Sequence, residues 1–267
     1  MDLRDTLNTE ENYKDGLISN REALLYFQEK LRKLQSDLEN GIENYKKPTI
    51  EVYKSTLATI LSYQRDILLA TYSIGDSLSA FKEEYIIYVS SLIPIWRKEW
   101  GYEQMLWALS IGILLNIDEE IFNQLVDLVK KDDPEDYLID YLIQARHSEW
   151  TIRTNYNFPK PYGYTQKIIE EENSEQALKL LKEYLIKKWY QGSRDAAWYD
   201  VHKQNIKNHV GYWSFESGAL CKIKGLDYKE LEGLSYFPYD LVAESGTKKI
   251  SLVMYETLNF KKRGNKL

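Results

Sequence analysis

Side chains suited to nucleophilic or metal chemistry are few in this sequence of 267 residues. Its one cysteine, Cys221, lies among apolar residues, where a thiol is usually unreactive. The three histidines, His147, His202 and His209, form neither an H-E-x-x-H motif nor a cluster with cysteine. His202 and His209 are seven residues apart, a spacing that suits one helix face, but surface or hydrogen-bonded histidines are the commoner outcome. We therefore predict no catalytic residue and no metal site.

Glycine-rich and nucleophile motifs are also missing from the sequence. It contains no G-x-S-x-G nucleophile turn, no G-x-x-x-x-G-K-[ST] phosphate loop and no G-x-G-x-x-G dinucleotide fingerprint. Neither an acyl-enzyme mechanism nor nucleotide binding finds support. The expectation is a protein that is not an enzyme and that uses no cofactor.

The most distinctive chemical feature is negative charge concentrated between residues 118 and 140. This stretch has nine acidic residues and two lysines, a net charge of −7. Acids at helix N-termini stabilise the helix dipole, which explains part of this density. A surface of such charge also attracts a basic partner and speeds association. Both interpretations stay open, and the second gives a hypothetical partner interface made of Asp118, Glu119, Glu120, Asp132, Asp133, Glu135, Asp136 and Asp140.

The composition favours a folded helical protein. Hydrophobic residues make up 43% and charged residues 28%, which excludes an integral membrane protein and a disordered chain. A net charge of −6 argues against nucleic acid as a partner. The N-terminus has no export signal, and one cysteine cannot form an internal disulfide, so we expect a cytoplasmic protein. Only 13 glycines and 6 prolines are present, few for a many-stranded sheet.

Heptad spacing dominates the N-terminal region. Between Glu10 and Tyr45, leucines recur every seven residues, and after a break at Pro48 a similar stripe continues to Ile67. The first stripe comprises Leu17, Leu24, Leu31 and Leu38, with Phe27 and Leu34 between them. A short connection between two complementary stripes predicts an antiparallel helical hairpin. A dimeric coiled coil would use the same residues, so monomer and homodimer both stay open.

Helical patterns continue along the rest of the chain. New helices are predicted to begin at an Asp118 cap and again at Asp133 and Pro134. Other predicted helices cover residues 102–115, 193–208, 213–223 and 78–100, the last with a kink or boundary at Pro94. We therefore predict an all-α fold, a helical bundle with an N-terminal long helical hairpin and a C-terminal helical domain.

The division of the chain follows from these patterns. The predicted helical domains are residues 1–131 and 132–260, and residues 261–267 form a basic tail. Within Lys248–Phe260, a short strand competes with helix.

A long aromatic pattern in the C-terminal half carries a family resemblance. It consists of Trp189, Tyr190, Trp198, Tyr212, Trp213, Phe215, Glu216, Gly225, Leu226, Tyr236, Pro238 and Asp240. This pattern resembles the C-terminal signature of the PoNi immunity family, whose members neutralise polymorphic nuclease effector toxins delivered between bacteria. The segment from Tyr72 to Leu78 resembles the companion N-terminal domain. Gly218 departs from the pattern, because alanine is expected there.

This resemblance implies an all-helical cytoplasmic protein that binds a DNase toxin and blocks it by occluding its basic active-site cleft. The signature residues themselves are interpreted as structural, because their aromatic and apolar side chains suit a helix core. The acidic stretch would then supply the partner contact. A helical adaptor or oligomeric scaffold without a toxin partner is the alternative, and neither a nucleic acid nor a membrane is expected as a partner.

Overall fold

The N-terminal helices form the expected antiparallel hairpin in a computed structural model that describes residues 2–244. Helix α1 (Glu10–Glu39) begins after Thr9, whose hydroxyl accepts a hydrogen bond from the Asn12 backbone. It packs along α2 (Thr49–Ser73) through a small apolar cluster. That cluster comprises Tyr13, Leu17, Leu24, Leu31, Ile60, Ile67, Ala70 and Ile74. The heptad prediction is confirmed, although α1 ends at Glu39 rather than near Tyr45 because Gly41 turns the chain at a φ of 67°.

Further helices follow this hairpin along the chain and complete the bundle. The next four are α3 (Leu78–Leu92), α4 (Tyr102–Leu114), α5 (Glu119–Asp132) and α6 (Tyr137–Gln144). The remaining helices of the described residues are α7 (Pro159–Tyr162), α8 (Thr165–Glu170), α9 (Ser174–Glu183), α10 (Tyr190–Gly192), α11 (Val201–Gln204), α12 (Phe215–Ile223) and α13 (Tyr239–Ala243). A π-helical turn over Tyr184–Trp189 joins α9 to α10. Residues 2–244 contain no β-strand, so the all-α prediction is confirmed.

Helix α4 lies at the centre of the main hydrophobic core. Eleven of its 13 residues are buried, and α12 packs directly against it. Trp107 of α4 meets Phe215 of α12 edge-on, with ring centroids 6.3 Å apart. This core includes buried residues from both sides of the predicted boundary between residues 131 and 132. The boundary itself falls at the end of α5 and stays a prediction.

Of the two helix starts predicted in the acidic stretch, the one after Asp118 is confirmed and the one at Pro134 is wrong. Asp118 stands at the N-cap of α5, but its carboxylate accepts no capping hydrogen bond. No helix begins at Pro134, because Asp133 and Glu135 on either side of it adopt left-handed backbone angles, with φ of 44° and 49°. Asp136 is the true cap of α6, and its carboxylate accepts from the backbone amides of Leu138 and Ile139.

Three other helix predictions need correction. The helix from Leu78 stops at Leu92, so the boundary predicted at Pro94 is confirmed, but the helix does not continue to Trp100. Within residues 193–208, only α11 and a 3₁₀ turn over Ile206–Asn208 are helical, because Asp200 lies in the left-handed region at a φ of 58°. The predicted central helix begins at Phe215 rather than Trp213. The strand suggested within Lys248–Phe260 and the basic tail lie outside the described residues.

Gly211 joins the hairpin to the C-terminal half and gives a first prediction. It has a φ of 111°, and a Cβ there would lie 2.0 Å from the Ser73 Oγ. That hydroxyl accepts from the Trp213 indole (2.8 Å) and donates to the Val210 carbonyl (2.7 Å). We expect Gly211→Ala to lower the free energy of unfolding by about 3 kcal/mol through backbone strain and overlap, measured by urea denaturation.

Gly16 provides the matched control, because it is a helical glycine with no atom within 4 Å of an added Cβ. Gly16→Ala should raise the free energy of unfolding by roughly 0.5 to 1 kcal/mol, since alanine restricts the unfolded chain and favours helix. Equal effects from the two substitutions would contradict the assigned role of Gly211.

Candidate functional site

The acidic stretch lies on α5, α6 and the connection between them. Glu119 and Glu120 are exposed in the first turn of α5, and Asp133 and Glu135 are exposed in the connection. Asp118 is half-buried. These residues lie on the protein surface, as the partner hypothesis requires.

Asp136 and Asp140 must leave the hypothetical interface, because both side chains are fully buried. Asp136 caps α6 and also accepts from the Tyr102 hydroxyl (3.2 Å) and the Asn157 amide (2.8 Å). Burial raises the pKa of Asp136 despite these hydrogen bonds. The prediction that Asp136 and Asp140 contact a partner is wrong, because their carboxylates hold the fold together.

Asp140 anchors the long loop that follows α6. Its carboxylate accepts from the Trp150 indole at 2.9 Å, and from the Arg153 Nε and Nη2 at 2.7 Å each. The hydrogen bonds that Arg153 donates to Asp140 raise the pKa of the guanidinium further above its already high value. A buried carboxylate held in this way is a structural group.

Basic residues from outside the acidic stretch neutralise part of its surface. Arg146 and His147 contact the Glu119 carboxylate, with His147 at 3.2 Å. Arg153 also pairs with Asp133. The net charge counted over residues 118–140 therefore overstates the negative electrostatic field at this surface. Within residues 2–244, no ion pair engages Asp118, Glu120, Asp132 or Glu135.

The aromatic signature forms a stacked cluster at the junction of α10, α12 and α13. The Trp189 ring lies 5.2 Å from Trp198 and 5.0 Å from Tyr236, and Tyr190 stacks on Tyr236 at 5.2 Å. Trp198 donates from its indole to the half-buried Glu103 carboxylate at 2.8 Å. The signature members that are buried are Trp189, Tyr212, Trp213, Phe215, Glu216, Leu226 and Pro238. Their positions agree with a structural role.

Glu216 is the one buried acid within this signature helix. Its Oε1 accepts from the Tyr184 hydroxyl (2.8 Å) and the Ser214 hydroxyl (2.6 Å). Burial raises its pKa to about 7, because the charged form loses its hydration. The hydrogen bond from Tyr184 to Glu216 links α12 to the π-helical turn.

Three further residues in or beside the signature have structural roles. A Cβ on Gly218 would lie 2.7 Å from the Pro238 Cγ and 3.2 Å from Leu114, so the close approach of these groups favours glycine over the expected alanine. Gly225 ends α12 in the left-handed region at a φ of 61°. Asp240 pairs with Arg4 at 2.5 Å, which ties the start of the chain to its signature.

A second contact between the start of the chain and its C-terminal half is not among the sequence predictions. Asp5 Oδ2 and His209 Nε2 are 2.6 Å apart in a buried pair, and Asn8 donates to the carbonyls of Ile206 and His209. Burial raises the pKa of Asp5, but the hydrogen bonds from His209 and from the Leu7 backbone amide together keep it below its ordinary value. The pair spans 204 residues, so no local pattern could reveal it.

The described residues show no group of three or more histidine, cysteine, aspartate or glutamate side chains placed to hold a metal ion. No helix within residues 2–244 combines the length and apolar character needed to cross a membrane.

The fold and the signature together define an all-α protein whose characteristic aromatic residues pack in or against its core. The N-terminal model of the PoNe immunity proteins (PoNi) matches residues 4–127, and the C-terminal model matches residues 134–241. The chain belongs to the PoNi family of immunity proteins.

A solved structure shares the fold. Protein PA2201 from Pseudomonas aeruginosa superposes with a TM-score of 0.60 over 92% of this chain and 98% of its own, at 18% identity. At that identity the likeness supports the fold alone. A comparison with curated proteins found no match.

The buried Glu216 carboxyl predicts a pH dependence of stability. The folded protein keeps its proton up to about pH 7, whereas the unfolded chain loses it near 4.5. Stability from this group therefore falls as pH rises through that interval, by about 3 kcal/mol. Glu216→Gln should remove this loss, so its melting temperature should exceed that of the wild type at pH 8 by more than at pH 5.

Glu120→Gln removes an exposed acid and serves as the control for lost charge in the same thermal scans. A difference between Glu216→Gln and wild type that stays constant from pH 5 to pH 8 would contradict the assigned titration.

Proposed function

We propose that this protein binds a nuclease toxin with DNase activity in a one-to-one complex and blocks the toxin by occluding its active-site cleft. The observation that carries the proposal is the match of both PoNi models, which together cover nearly the whole chain. The protein would act by stoichiometric binding and not by catalysis. Since a DNase toxin damages DNA inside the cell, the cytoplasm is the proposed site of action.

Charge complementarity supports this mode of inhibition. A nuclease must hold phosphate groups, so its cleft presents basic side chains. The exposed acids at the start of α5 and in the α5–α6 connection offer the opposite charge. The proposed contact residues are Asp118, Glu119, Glu120, Asp132, Asp133 and Glu135.

Inhibition should be stoichiometric. The test is a titration of this protein into the nuclease toxin domain encoded beside its gene, with DNA cleavage followed on a plasmid substrate. Cleavage should fall linearly and vanish near one equivalent, because occlusion removes one toxin for each complex formed.

Two results would contradict the proposal. Full inhibition at a small fraction of one equivalent would indicate catalysis, and no inhibition with no complex by gel filtration would exclude this toxin as the partner.

The exposed acids should set the rate of association. Glu120→Lys with Glu135→Lys should slow association with the toxin domain by about 10-fold at low salt and flatten its salt dependence, since steering acts mainly on the on-rate. Stopped-flow fluorescence at several salt concentrations measures both. Glu172→Lys with Glu232→Lys makes the same charge change at exposed acids elsewhere. If both pairs change the kinetics equally, the contact lies outside the α5 region.

A further inference from the structure

Helix α1 has an outer face that nothing in residues 2–244 covers. Three large apolar side chains on it are solvent-exposed: Ile18 at 58%, Leu25 at 65% and Tyr26 at 66%. They lie on the side of the helix away from the leucines that pack on α2. Single exposed apolar residues are common on protein surfaces, but three within nine residues on one helix face form a patch.

Acidic residues share this face. At about 100° per residue, the seven side chains fall within an arc of about 100° and extend for about 27 Å along the helix. We call this set the outer ridge of α1; it consists of Glu11, Asp15, Ile18, Glu22, Leu25, Tyr26 and Glu29.

The negative charge of the outer ridge is largely uncompensated. Within the described residues, Glu11, Asp15 and Glu22 form no ion pair. Of the neighbouring bases, Lys14 pairs with Glu10 and Arg21 with Glu84, both outside the ridge, and Arg32 pairs with the ridge residue Glu29. This arrangement differs from the α5 region, where Arg146 and Arg153 neutralise two of the acids.

We infer that the outer ridge of α1 is a docking surface for the nuclease toxin, which presents an apolar groove bordered by lysine and arginine. This inference rests on the proposed function and adds an anchoring surface to it. Helix-in-groove recognition uses apolar anchors at such spacings, with Ile18 and Leu25 two turns apart. The uncompensated acids complement a phosphate-binding protein.

A second copy of this chain is a poorer occupant of the ridge. An antiparallel pair centred on the apolar patch places Glu22 against Glu22 and Asp15 against Glu29. Like charges across an interface oppose association. Only Glu11 meets bases in that arrangement, at Arg32 and Lys33.

The test compares two double variants that make the same chemical change. Ile18→Lys with Leu25→Lys alters the ridge, and Ile87→Lys with Ile186→Lys alters exposed isoleucines elsewhere, at 42% and 61% exposure. All four side chains are exposed, so both variants should fold, as checked by circular dichroism and thermal melting. Calorimetric titration with the nuclease toxin domain encoded beside the gene should show at least about 10-fold weaker binding for the ridge variant, as expected at an anchor site. The control variant should bind like wild type.

The outcomes separate this inference from the proposed function. A wild-type protein that does not bind the toxin domain would overturn both. Wild-type binding with equal affinities for the two variants would overturn the ridge alone. Sedimentation that shows a wild-type dimer, a monomeric ridge variant and unchanged toxin affinity would assign the ridge to a second copy and overturn the inference.

Discussion

Burial of α4 is the constraint on which the rest of the structure depends. Tyr102–Leu114 is almost wholly enclosed, so its neighbours must supply both apolar contact and hydrogen bonds. Tyr85 donates from its hydroxyl to the Ala108 carbonyl at 2.7 Å. Lys222 of α12 donates to the Ile113 carbonyl at 2.7 Å and so satisfies the C-terminal end of α4. Helix α12, which carries the signature residues Phe215 and Glu216, therefore covers α4.

The same constraint explains why the proposed partner contact uses residues other than those of the family signature. The aromatic signature packs around α12 and the π-helical turn, where the buried Glu216 accepts hydrogen bonds from Tyr184 and Ser214. A toxin cannot reach such groups while the fold is intact. Recognition must use exposed side chains, which the core leaves free to vary. The acids near α5 and the outer ridge of α1 are surfaces of that kind.

Periodicity predicted the fold well, whereas charge density could not distinguish surface acids from buried ones. The leucine heptad defined the hairpin because its residues contact a neighbour close in sequence. Asp136 and Asp140 looked like surface acids, but their burial depends on partners such as Asn157 and Arg153 in a loop with no regular pattern. The Asp5–His209 pair joins two segments distant in sequence that only the complete fold brings together.

The central claim is that the toxin contacts exposed surface and not the signature. Hydrogen–deuterium exchange of this protein, alone and in complex with the nuclease domain encoded beside its gene, tests it most directly. The account predicts slower exchange in peptides from α1 and from the start of α5, with unchanged exchange in α12. Protection confined to α12 and the π-helical turn, with α1 and α5 unchanged, would contradict it.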